Sequence, residues 1–87
     1  MNDEEIKLRI LRKLYIRGCW GTRHTSESNL QKGFPPYIRG KILDLADELR
    51  KEGFLIKKPT HHDAQWYLNW DKKKEIEELI ASLLPKF

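Results

Sequence analysis

The sequence predicts an α+β fold, mainly helical: three helices, a β-hairpin and a final helix. Three observations carry this. Ile38, Ile42, Leu45 and Leu49 recur at spacings of four, three and four, which is one face of an α-helix. Gly53 follows Arg50-Lys51-Glu52, where a helix end favours a left-handed residue. Beyond it, two β-like runs, Phe54 to Lys58 and Gln65 to Trp70, flank the breaker Pro59-Thr60-His61-His62-Asp63, with Trp66, Leu68 and Trp70 alternating.

Each element has a local reason. A first helix is expected from Asp3 to Arg17. Asp3, Glu4 and Glu5 crowd its start and Arg12, Lys13 and Arg17 its end, in the sense the helix dipole favours. Its core stripe is Ile6, Ile10, Leu11 and Leu14, widened by Leu8 and Tyr15, and Gly18 ends it. Cys19 to His24 reads as an irregular connector, with Trp20 as a core anchor. Thr25 or Ser26 can cap a short second helix through about Gln31. The third helix is expected over Pro36–Glu52, because proline at a helix start loses only an amide that would be unpaired anyway. Asp71 can cap a last helix to about Leu84, with Ile76, Leu79, Ile80 and Leu83 as its apolar stripe. That stripe either packs on the first helix or forms a homodimer interface.

At 87 residues, one domain over 1–87 is the expectation. The 39 % hydrophobic content includes three Trp, three Tyr and three Phe, and large aromatics bury much area each. A lone cysteine, Cys19, cannot form an internal disulfide, and the polar, acidic start Asn2-Asp3-Glu4-Glu5 is no secretory signal. No run of residues has the length and apolarity of a membrane span. A cytoplasmic protein without a membrane partner is therefore expected. The net charge of +4 suits an anionic partner. The excess lies in the first half, at the start of the third helix and in the hairpin, whereas Asp44, Asp47, Glu48 and Glu52 outweigh Arg50 and Lys51 over residues 42–53.

From Ile6 to Leu83 the chain resembles the winged helix-turn-helix superfamily. The carrying residues are Ile42, Leu45 and Leu49, then Glu52-Gly53-Phe54-Leu55-Ile56, then Trp66-Tyr67-Leu68. In composition it is similar to small archaeal members. The resemblance implies a three-helix winged helix-turn-helix core with a C-terminal β-hairpin wing and a final α-helix. It places the reading helix on Pro36–Glu52 and the wing on Phe54–Trp70. It implies a double-stranded DNA-binding protein, a transcriptional regulator, with no catalytic activity and no cofactor. Two other uses of the same architecture are a protein-interaction module and an RNA binder in translation or RNA processing.

A helix in the major groove works through its first turns, which here offer Tyr37, Arg39, Gly40 and Lys41. Glycine inside a helix costs roughly 1 kcal/mol against alanine. Either a phosphate backbone approaches Gly40 closely or another helix packs tightly on it. The acidic second half repels phosphate, and Asp44 either accepts from a cytosine or is solvated. In the hairpin, Lys57, Lys58, His61 and His62 are candidates for phosphate or minor-groove contact, unless His61-His62-Asp63 is only a polar turn. In the connector, Arg23 and His24 beside a helix start make a phosphate perch, while Thr25 and Ser26 need be no more than caps. Cys19, His24, His61 and His62 include no C-x-x-C and no H-x₃-H spacing, so no metal site is expected. Cys19 with His24 lacks an orienting third group for nucleophilic catalysis.

Overall fold

A computed structural model of the chain describes residues 2–83, in which four α-helices pack with a three-stranded antiparallel sheet. Helix α1 spans Asp3–Ile16. Asn2 caps it by accepting from the Glu5 amide at 2.9 Å. Ile6, Ile10, Leu11 and Leu14 are buried on one stripe, as their spacing predicts. At its end Gly18 takes φ 68°, and the amides of Gly18 and Cys19 donate back to the Tyr15 and Leu14 carbonyls. This is the Schellman closure, in which a left-handed residue satisfies the last carbonyls.

Strand β1, Thr25–Ser26, is absent from the sequence reading, which gives those residues only a capping role. Ser26 does both. It pairs with Gln65, and its hydroxyl accepts from the Asn29 amide at the start of helix α2, Glu27–Gln31. A 3₁₀ turn at Pro36–Ile38 precedes helix α3, Arg39–Lys51. The single helix expected from Pro36 therefore opens as a tighter turn, closed by the Ile38 amide on the Pro35 carbonyl at 3.1 Å. Helix α3 ends as predicted: Gly53 sits at φ 92°, and Phe54 and Gly53 donate to Leu49 and Arg50.

Strands β2, Leu55–Lys58, and β3, Gln65–Leu68, form the hairpin, and β3 lies in the middle of the sheet. Leu55 pairs with Leu68 and Lys57 with Trp66, while Thr25 meets Trp66 from the other side. The alternation expected to reach Trp70 stops at Leu68. Asn69 donates to the Gly53 carbonyl at 2.8 Å and caps a 3₁₀ turn at Trp70–Lys72, a role expected of Asp71. Trp70 is left 60 % exposed. Helix α4 spans Lys73–Ile80 and passes into a 3₁₀ turn at Ala81–Leu83, and the predicted end near Leu84 lies outside the described residues.

The core joins α1, α3, α4 and one face of the sheet. Each Leu or Ile taken out of water there contributes about 1.5–3 kcal/mol before entropy is charged against it. Trp66, 1 % exposed, is its largest member. Trp20, expected to be a core anchor, is only partly buried. Its ring lies edge-on between Tyr15 and Trp70, at 5.9 and 5.3 Å. The last helix packs on α1, with Ile76 and Ile80 fully buried. The stripe proposed as a dimer interface therefore points inward at both isoleucines, leaving Leu79 43 % exposed and Leu83 half-buried. No described helix is long and apolar enough to cross a membrane.

Candidate nucleic-acid interface

The ten residues singled out from sequence fall into three groups. Tyr37, Arg39, Gly40 and Lys41 lie on the exposed opening of α3. Tyr37 is 84 % exposed, an unusual position for a large ring. The Arg39 Nε donates to the Phe34 carbonyl at 3.4 Å, which ties the helix opening to the α2–α3 turn. Lys41 pairs with Asp3 of α1 at 2.6 Å. Around Gly40, a Cβ would meet nothing within 4 Å. Tight helix packing is therefore not the reason for this glycine. It is the second residue of α3 rather than an interior one, so its propensity cost is smaller than expected.

In the hairpin, Lys57 lies 5.3 Å over the Trp66 ring and 3.7 Å from Glu27, whose carboxylate also accepts from the Trp66 indole at 3.3 Å. Lys58, His61 and His62 are exposed. The tip is built rather than loose: the Asp63 amide donates to Thr60 Oγ1, and the Thr60 hydroxyl donates to the Asp63 carbonyl. The Asp63 carboxylate accepts from Ser28 Oγ at 2.5 Å and from the Ser28 amide at 3.2 Å, binding the tip to the first turn of α2. The Ser28 hydroxyl, then its amide, hold the Asp63 carboxyl below its usual range. The sequence reading did not give Asp63 this role.

The connector joins the hairpin rather than standing apart. His24 Nδ1 is 2.7 Å from Gln65 Oε1, and Gln65 faces Lys58 across the sheet. The Cys19 carbonyl accepts from the Leu68 amide at 2.8 Å, so the connector flanks β3. Arg23 is exposed. No hydrogen bond or ion pair among the described residues links the hairpin to the opening of α3.

The acidic half of α3 is largely occupied within the chain. Asp47 takes Arg50 at 2.6 Å and Lys51 at 3.5 Å, and its carboxyl is held below the usual range, first by the Arg50 hydrogen bond. Glu48 and Glu52 share Lys7, whose pKa they raise, Glu52 most. Asp44 is exposed and has no ion pair among the described residues. Burial pushes the Cys19 thiol up, the opposite of an activated thiolate. Among the described residues no three His, Cys, Asp or Glu side chains cluster as metal ligands would.

One basic surface escaped the sequence reading. Arg9, Arg12 and Lys13 of α1, Arg17 at its end and Lys32 of the α2–α3 turn line a groove of about 370 Å³. The available signal was the four-residue spacing of Arg9, Lys13 and Arg17. Searches among family models, curated proteins and solved structures found no match to this chain.

Proposed function

We propose that this chain is a winged-helix protein that binds double-stranded DNA and acts as a transcriptional regulator by occupying its site. The element order α1-β1-α2-α3-β2-β3, with β3 central in the sheet, supports a helix-turn-helix with a hairpin wing. The opening of α3 would enter the major groove, and the hairpin tip would lie along the adjacent backbone. The observation that carries this reading is the open space around Gly40, beside the exposed Tyr37 and flanked by Arg39 and Lys41. None of the described residues fills that space, and a glycine there lets a phosphate backbone come close. Ion pairing of Asp47, Glu48 and Glu52 within the chain reduces the repulsion expected of the acidic half of α3.

The test is an electrophoretic shift with duplex DNA at low salt, repeated with structured RNA. Duplex binding that weakens steeply with salt is the expected result. A preference for RNA would reassign the nucleic acid. No binding to either would transfer the α3 face to a protein partner.

A further inference from the structure

The groove between α1 and the α2–α3 turn has a composition unlike the rest of the surface. Its charged lining is wholly cationic: Arg9, Arg12, Lys13, Arg17 and Lys32. Among the described residues none of these five is in an ion pair, although eight pairs occur elsewhere. A second groove, of about 410 Å³, continues from it. The two share Ile16 and Arg17, and the second adds Arg23 and His24 without any carboxylate.

Two of the cations also hold the groove together. The Lys13 ammonium donates to the carbonyls of Asn29, at 2.6 Å, of Leu30, at 3.1 Å, and of Lys32, at 2.5 Å, and so closes the end of α2. The Arg12 Nε donates to the Leu83 carbonyl at 2.8 Å. Arg9, Arg17 and Lys32 have no such duty among the described residues, and all three are exposed. Burial, and then the neighbouring charges of Arg17 and Lys32, lower the Lys13 pKa.

We propose that this groove is a phosphate-binding track that takes the nucleic-acid backbone beyond the stretch engaged by α3. The inference rests on the nucleic-acid reading of the preceding subsection. Two features favour a nucleic-acid strand over an acidic peptide. The groove and the opening of α3 meet at Phe34, which lines the groove and whose carbonyl accepts from the Arg39 Nε. The helical rise sets the two free arginines of this row, Arg9 and Arg17, about 12 Å apart, roughly two phosphate steps along one strand, while Lys13 between them is spent on α2. The half-exposed Ile16, where the two grooves meet, offers apolar contact to a sugar.

The experiment measures duplex affinity against salt for the wild-type chain, for Arg9→Gln/Arg17→Gln/Lys32→Gln, and for Tyr37→Ala/Lys41→Ala. Thermal melts confirm folding, and none of the three groove side chains makes a hydrogen bond among the described residues. Each phosphate contact contributes about 0.9 to the slope of log K against log salt. The groove variant should therefore flatten the slope by about two to three. A wild-type slope in the folded groove variant would overturn the proposal. A flattened slope combined with no effect of Tyr37→Ala/Lys41→Ala would keep the groove and remove α3 from the interface, so the two readings fail separately. Poly-glutamate serves as the competitor. If it displaces the duplex charge for charge through the same three residues, the groove takes acidic chains in general and the nucleic-acid assignment is wrong.

Discussion

Lys41 lies 2.6 Å from Asp3 and Lys57 3.7 Å from Glu27, whereas Arg9, Arg17 and Lys32 of the α1 groove meet no carboxylate among the described residues. The two cationic faces therefore differ in what a phosphate must displace. On the proposed reading, a phosphate arriving at Lys41 or Lys57 would exchange with a carboxylate of the chain, and an exposed pair of that kind holds only about 0–1 kcal/mol, whereas Arg39 and Lys58 of the same face are in no ion pair among the described residues. In the groove it would exchange with salt ions, whose release drives association. Net charge counts both sets alike, and only the pairing separates them. The paired lysines would bind through exchange, one contact at a time, which leaves room for selection among sites. The unpaired arginines suit affinity.

Both faces stand on one core, and Trp66 is its largest member on the hairpin side. Its indole is 1 % exposed, lies under Lys57 and donates to Glu27. Trp66→Ala should cost about 3–5 kcal/mol, much of what a small domain has. Trp70→Ala, at 60 % exposure with an edge contact to Trp20, should cost about 1 kcal/mol. Denaturant melts of the two variants measure this, and equal losses would mean that the sheet is not the foundation of the hairpin face.

Within the groove, Lys13 should behave unlike its neighbours. Lys13→Met keeps the stem but removes three hydrogen bonds at the end of α2, leaving the Asn29 carbonyl only its bond from the Lys32 amide, at a cost of about 1.5–3 kcal/mol in a melt. Arg9→Gln and Arg17→Gln should leave the melt unchanged. A stability loss for all three would make the groove a structural feature rather than a binding one.

The helices were legible because their signals are local. Apolar spacing marked α1 and α3, and Gly18 and Gly53 marked their ends. What escaped depends on residues distant in the chain. Strand β1 is two residues long and exists only because Gln65 and Trp66 lie beside it. Trp70 continues the alternation in sequence, but Asn69 turns the chain by bonding back to Gly53. The groove shows the same limit for function. Arg12, Lys13 and Arg17 look like a favourable helix end, and Lys32 like part of a turn. Only the packing of α1 against the α2–α3 turn makes them one surface. At Gly40 the sequence posed two explanations, and the empty space around it removes the packing one.

The Lys41–Asp3 pair can be opened from either side. If Lys41 reads a base edge, Lys41→Ala should lower discrimination between sites by about 1–3 kcal/mol. Asp3→Asn frees the same lysine and should tighten binding to every duplex by up to about fivefold, the upper limit for an exposed pair. Titrations on two unrelated duplexes separate these outcomes. If Asp3→Asn weakened binding instead, the pair would be positioning Lys41 rather than competing for it.

The smallest effect is expected at the hairpin tip, and it depends on pH. Asp63 is held to α2 by its carboxylate, and its pKa lies below the ordinary aspartate value of about 3.9. A depressed carboxyl contributes its stabilisation above the unfolded value and loses it as pH falls through the folded one. Acidification into that range should therefore release the tip from Ser28 while Trp66 and Leu68 stay paired in the sheet. Amide exchange read by NMR should show the Ser28 and Asp63 amides losing protection at a pH where the Trp66 amide keeps it. Asp63→Asn retains an acceptor oxygen but cannot titrate, so in that variant the acid step should disappear. If the step survived unchanged, some other group would be opening the tip. The hairpin would then be tied to α2 through Glu27, which meets Lys57 and Trp66 and whose amide donates to the Ala64 carbonyl, rather than through Asp63.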